Sequence, residues 1–261
     1  MTLVPVAEAT SAVVGGKARG LARLVTLGLP VPPAFVLGPD AHARWRERGE
    51  VDRVALERVL AELGEPLAVR SSAADEDSGD RSAAGQYESV MGVSGLEALV
   101  AAVEECYRAA ESDRARAYRG TDGASMALVL QREVAADRAG IGFSADPVTG
   151  ATDDVLLEAV YGHGEGAVSG LVTPDRYRVS RSGETVRARV ADKARAADGR
   201  GGVRELPPGR RLARVLRDDE ARRIAELVVD AERGFERPVD VEFCFSGPEL
   251  WLVQCRPITT L

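Results

Sequence analysis

Two short stretches near the end of this 261-residue chain hold side chains that could do chemistry together. In 238–245 and 250–258 the apolar residues alternate as they do along two strands of a hairpin. Val239, Val241, Phe243 and Phe245 fall on one face of the first, and Trp251, Val253 and Cys255 on one face of the second. Aligning these sets predicts Phe243 opposite Val253 and Val241 opposite Cys255. The other face then brings Glu242 opposite Gln254 and Asp240 opposite Arg256, with opposed Cβ atoms about 4.5–5.5 Å apart. Glu242 and Gln254 can offer two hard oxygens to one divalent cation, and magnesium suits such donors, with phosphate oxygens and water completing its shell. Arg256 adds a positive charge beside it. The same spacing also fits a surface hairpin whose polar face only pairs charges.

A second stretch, Val14-Gly15-Gly16-Lys17, runs into apolar positions Leu21, Leu24, Val25 and Gly28 at helical spacing. Glycines allow close approach of an anion, a helix N-terminus carries partial positive charge, and the lysine adds a full one. The spacing is not that of a P-loop, and an isolated Gly-Gly-Lys is also compatible with an ordinary turn. Lys17 and Lys193 are the only lysines among 34 basic residues.

These groups need a scaffold. After the Lys17 helix, Leu29-Pro30-Val31-Pro32-Pro33 is a stop, Ala34–Leu37 a buried strand, and 40–63 a helix with a break signalled at Gly49. Leu67–Arg70 reads as a strand entering a long polar loop, 71–89, which is either a surface excursion or a mobile binding element. A strand, 87–93, and a helix, 95–118, follow. Residues 126–134 and 138–145 read as a hairpin, 155–161 and 183–192 as strands, 195–211 as loop, and 218–234 as a helix opening on acidic residues. This pattern is α+β, with a first lobe over residues 1–122 and a second over 123–261.

The 45% hydrophobic and 29% charged composition is that of a globular protein. A net charge of -7 disfavours nucleic acid and anionic membranes as partners. Three cysteines without CxxC spacing suggest neither a disulfide framework nor a zinc site, and no apolar run is long enough for a membrane span, so a cytoplasmic location is expected.

Read in order, the motifs resemble one family. They are Val14-Gly15-Gly16-Lys17 with Leu27-Gly28-Leu29-Pro30-Val31-Pro32-Pro33, Ala68-Val69-Arg70-Ser71-Ser72-Ala73 with Glu76-Asp77, Ala84-Gly85-Gln86, and Gln131-Arg132. Ser144-Ala145-Asp146-Pro147-Val148-Thr149-Gly150, Glu158-Ala159-Val160-Tyr161-Gly162, Thr173-Pro174-Asp175 and Gln254-Cys255-Arg256-Pro257-Ile258-Thr259 complete the series. Together they resemble the ATP-grasp nucleotide-binding domain of phosphoenolpyruvate synthase, pyruvate phosphate dikinase and rifampicin phosphotransferase.

The resemblance implies a two-lobed α+β ATP-grasp fold with antiparallel sheets, an ATP cleft between the lobes and loop 71–89 as a lid. It implies that Lys17 and Arg70 bind phosphate, that Gly85 and Ser89 touch the nucleotide, and that Gln131 and Glu158 contact adenine and ribose. Glu242 and Gln254 correspond to the magnesium ligands, and Arg256 to an arginine on the ATP phosphates, so Lys17, Arg70 and Arg256 are the implied catalytic cations. The family passes phosphoryl groups through a histidine on a swivelling domain, which this chain is expected to lack as a stand-alone unit. His42, expected on a surface helix, and His163, in the turn Gly162-His163-Gly164, are the two histidines to consider. Asp146 and Glu165 are candidate proton acceptors. Three functions follow as expectations: a magnesium-dependent kinase for a small-molecule acceptor, the ATP-binding half of a split system with a phosphohistidine-domain partner, or an ATP-sensing module.

Overall fold

In the computed structural model, which describes residues 3–73, 89–111, 126–164, 170, 172–199 and 202–259, contacts divide the chain into two units. One comprises residues 1–26 and 32–133, the other residues 27–31 and 134–261.

The first unit contains β1 (Leu3–Pro5), α1 (Gly15–Thr26), β2 (Ala34–Leu37), α2 (Pro39–Arg48), α3 (Arg53–Leu63), β3 (Leu67–Ser72), β4 (Ser89–Val93), α4 (Leu96–Ala110) and β5 (Ala127–Arg132). Its sheet is antiparallel in the order β1-β2-β5-β3-β4. Phe35, Leu37, Leu67, Val69, Leu128 and Leu130 bury one face with Leu56 and Val59 of α3 and Leu99, Val103 and Tyr107 of α4. The opposite face receives α1. Gly15 (φ 80°) lies so close to β3 that a Cβ there would stand 2.5 Å from the Ser72 carbonyl carbon. Ser72 Oγ in turn donates to Val14 O at 2.7 Å and accepts from Ala18 N at 3.1 Å, fixing the start of the helix.

The expected helix over 40–63 is two helices. Gly49 (φ 69°) ends α2, and Asp52 caps α3 by accepting the Ala55 N–H at 3.0 Å. Within α2, His42 is fully buried rather than on the surface. Its ring stacks on Tyr107 with centroids 4.6 Å apart, and Nδ1 accepts the Met126 N–H at 3.0 Å.

The second unit contains β6 (Arg138–Phe143), β7 (Asp154–Tyr161), β8 (Asp175–Ser180), β9 (Val186–Arg189), β10 (Arg195–Ala197), β11 (Val203–Glu205), α5 (Pro208–Arg211), α6 (Asp218–Phe235), β12 (Val239–Ser246) and β13 (Glu249–Pro257). Six strands form one antiparallel sheet, β13-β12-β6-β7-β8-β9. The amphipathic α6 packs over one face. Gly142 makes room for it: a Cβ there would lie 2.8 Å from Val228 and 3.0 Å from Leu157.

Two expectations change. β5 and β6 are not a hairpin, since β5 pairs with β2 and β3 while β6 pairs with β7 and β12. Ala127–Gln131 is buried at every position, so it carries no alternation from which a partner could be read. β5 thus belongs to the first unit, whose second segment runs from Pro32 to Glu133. The expected loop over 195–211 contains the small β10–β11 pair and α5.

Candidate functional site

In the first unit, four residues named by the sequence gather on and beside one sheet face. Lys17 is half-buried in the first turn of α1, and its Nζ donates to the Ser71 carbonyl at 3.0 Å. Arg70 stands directly opposite Ser89 on β4 and opposite Val129 on β5. Gln131 lies opposite Ala68, and strand periodicity puts it on the Arg70 face. Gln131 is 3% exposed, yet its Nε2 has no acceptor among the described residues. A buried amide left in that state costs about 1–3 kcal/mol, so its environment suits a ligand that supplies an acceptor. Gly85, Glu165 and most of loop 71–89 lie outside the described residues.

In the second unit the predicted pairs Glu242–Gln254, Asp240–Arg256 and Val241–Cys255 are present, but Phe243 faces Leu252 instead of Val253. Val253 is the extra residue of a β-bulge. Leu250-Trp251-Leu252-Val253 is apolar at both parities, so alternation alone could not locate it. Leu250 and Leu252 are buried while Trp251 and Val253 are half-buried. The bulge shifts the alternation by one residue, which puts Gln254 and Arg256 on the face of Trp251 and away from α6.

Across the sheet, register aligns Gln254, Glu242, Ile141, Glu158 and Arg176 in one row on that face. Glu242 is half-buried and Gln254 5% exposed. Arg256 is aimed by Asp240, whose two oxygens lie 3.0 and 2.9 Å from Nε. Glu158 is held by Arg176 Nε at 2.9 Å. Among the described residues no three His, Cys, Asp or Glu side chains cluster to hold a metal. A cation here would therefore take one carboxylate and one amide oxygen from the protein and its remaining ligands from phosphate and water.

Asp146 organises a turn. Its Oδ1 accepts the Val148 and Thr149 N–H groups at 3.0 and 3.2 Å. Those backbone bonds, the one from Val148 first, hold its carboxyl below the usual aspartate range. His163 packs its ring against Gly199, and its backbone N–H donates to Ala197 O at 3.3 Å.

Lys193, without a role in the sequence reading, is 1% exposed and its Nζ lies 2.6 Å from Asp175 Oδ1. Asp175 also accepts from Ala191 N and Val215 N, each at 2.9 Å. The Thr173-Pro174-Asp175 motif was the signal: a buried carboxylate gathers four donors, including the Tyr177 hydroxyl at 3.3 Å.

The profile of the pyruvate phosphate dikinase, AMP/ATP-binding domain matches residues 49–261. A probable phosphoenolpyruvate synthase of Methanocaldococcus jannaschii is 30% identical over 95% of this chain and 26% of its own length. A rifampicin phosphotransferase of a Streptomyces species is 41% identical over 79% of this chain and 25% of its own. The chain thus spans about a quarter of these two relatives. Among solved structures, PH1788 of Pyrococcus horikoshii aligns with a TM-score of 0.51 at 12% identity, over 98% of this chain and 90% of that one.

Proposed function

Since the chain belongs to the pyruvate phosphate dikinase AMP/ATP-binding domain family, we propose that it binds ATP with magnesium and transfers a phosphoryl group to a small-molecule acceptor. The observation that carries this reading is the row on the second sheet, where Glu242, Gln254 and the Asp240-aimed Arg256 share one face. The donor set fits the metal: a carboxylate and an amide oxygen opposed across a strand pair are hard ligands of the type magnesium takes. Bound there, magnesium would neutralise charge on the phosphate oxygens.

The protein's own contribution is positioning and fixed charge, which dominate phosphoryl transfer. Arg256, held at Nε, directs its guanidinium to phosphate. Lys17 and Arg70 are assigned to the phosphates from the first unit, with Ser89 opposite Arg70 supplying a hydroxyl. Gln131, whose buried Nε2 has no acceptor among the described residues, is assigned to the base or ribose, and Glu158 is likewise assigned to the nucleoside from its place beside Arg176.

A second reading is the ATP-binding half of a dikinase-type system acting on a histidine of another domain or protein. His42, sealed in the core of the first unit, does not supply that histidine. Chromatography of the nucleotides formed from ATP and magnesium, with and without candidate acceptors, separates the readings. ADP indicates a direct kinase, AMP with inorganic phosphate the dikinase route. Saturable ATP binding without turnover under any condition leaves a sensing module, and no ATP binding by calorimetry overturns all three.

A further inference from the structure

The face that carries Glu242 and Gln254 continues to the β8–β9 edge of the same sheet, where it becomes strongly basic. The antiparallel register pairs Arg176 with Arg189 and Arg178 with Arg187, so four exposed arginines stand in two like-charged pairs. Like charges directly opposed across strands are destabilising. The inner two are balanced: Arg176 by Glu158 at 2.9 Å, and Arg178 by Asp146 at 3.4 Å and Asp154 at 3.7 Å. The outer two, Arg187 and Arg189, have no carboxylate partner among the described residues. A groove of about 360 Å³ runs along these strands, bordered by all four.

Charge on an edge strand guards against edge-to-edge pairing, but mixed charges would do this without two repulsive pairs. In a chain of net charge -7 the concentration is local. Opposed positions are about 5 Å apart and successive same-face positions about 7 Å, so the four guanidiniums form an array that matches a molecule with two anionic groups. Arginine forks bind phosphate and carboxylate bidentately. Row alignment places Arg176 three strand spacings from Glu242, roughly 14 Å, on the same face.

We propose that the β8–β9 edge is a binding site for a small ligand bearing two or more phosphate or carboxylate groups, distinct from the residues assigned to ATP. Titration calorimetry of the full chain, freed of metal ions on a chelating resin and without nucleotide, tests this with inorganic pyrophosphate and, separately, citrate. Both probes report the site, and the tighter one distinguishes a phosphate-bearing from a carboxylate-bearing ligand.

Arg187→Gln/Arg189→Gln is expected to weaken binding more than threefold, while the exposed control Arg58→Gln leaves it unchanged. Because the two arginines are exposed and lack a carboxylate partner among the described residues, their replacement is expected to preserve the fold, which an unchanged thermal midpoint verifies. A loss of threefold or less, a loss matched by the control, or no binding of either probe at millimolar concentration overturns the proposal. If instead Lys17→Gln abolishes binding and the arginine pair does not, the probe occupies the nucleotide residues. The edge site then falls while the proposed function stands.

Discussion

At the scale of single residues, the hairpin carboxylate carries the sharpest expectation. Glu242 stands opposite Gln254 with Asp240 and Arg256 two positions further along, so removing its charge takes the only carboxylate from the assigned metal pair. Glu242→Gln is expected to lower turnover about 100-fold, roughly 2.7 kcal/mol of transition-state stabilisation, and excess EDTA should abolish product formation by the wild type. Nucleotide chromatography reads both. An unchanged rate in either case removes the metal assignment. Asp146 gives a pH-dependent expectation. Its carboxyl is held below the usual range chiefly by the Val148 and Thr149 N–H groups, so the unfolded chain binds a proton at higher pH than the folded one. The contribution is therefore complete above the ordinary aspartate pKa of about 3.9 and is lost as pH falls through the lower folded value. The stability difference between wild type and Asp146→Ala, from urea midpoints, should be constant from pH 7 to 5 and shrink toward pH 3.

At the scale of elements, the bulge at Val253 is expected to aim the side chains of the candidate site. Deleting Val253 would leave Glu242 opposite Gln254 in an uninterrupted ladder, because Phe243 already faces Leu252. The pairing survives, but the local twist that aims these side chains does not. The deletion variant is expected to keep a thermal midpoint within about 5 °C of wild type, a change of about 1–2 kcal/mol, while losing at least tenfold in magnesium-dependent ATP affinity. Unaltered ATP affinity would mean that the bulge has no part in aiming them. Much of this hairpin was legible in the sequence, since polar residues at alternating positions of two adjacent strands fix which of them meet. The bulge was not, because Leu250-Trp251-Leu252-Val253 offers an apolar residue at either parity. The same ambiguity misdirected β5, whose neighbours are strands distant in sequence.

At the scale of the molecule, the chain is two separately cored units, each bearing part of the assigned machinery. The second unit is tied together by the buried Lys193–Asp175 pair, which reaches from β8 to the segments around Ala191, Val215 and, through Tyr177, Leu216. Asp175→Ala would leave the Lys193 ammonium buried without its counter-charge, and such a break costs about 3–5 kcal/mol. A urea-induced transition that shifts by less than 1 kcal/mol in this variant would show the network to be unimportant for stability. Among the described residues no helix is long and apolar enough to cross a membrane.

The sequence by itself determined the chemistry on offer. The types and order of Lys17, Arg70, Glu242, Gln254 and Arg256, and the pairing of the last three with their hairpin partners, follow from local patterns in which polar and apolar positions alternate. Tertiary structure decided what local patterns cannot encode. It chose the partners of a strand buried on both faces, put His42 inside rather than outside, gave Lys193 a counter-ion 18 residues away, and aligned arginines of β8 and β9 with the row of Glu242 and Gln254. The physical reason is the same in each case: burial and cross-strand register depend on contacts between segments far apart in the chain, and their free energy appears only when the sheet closes around them.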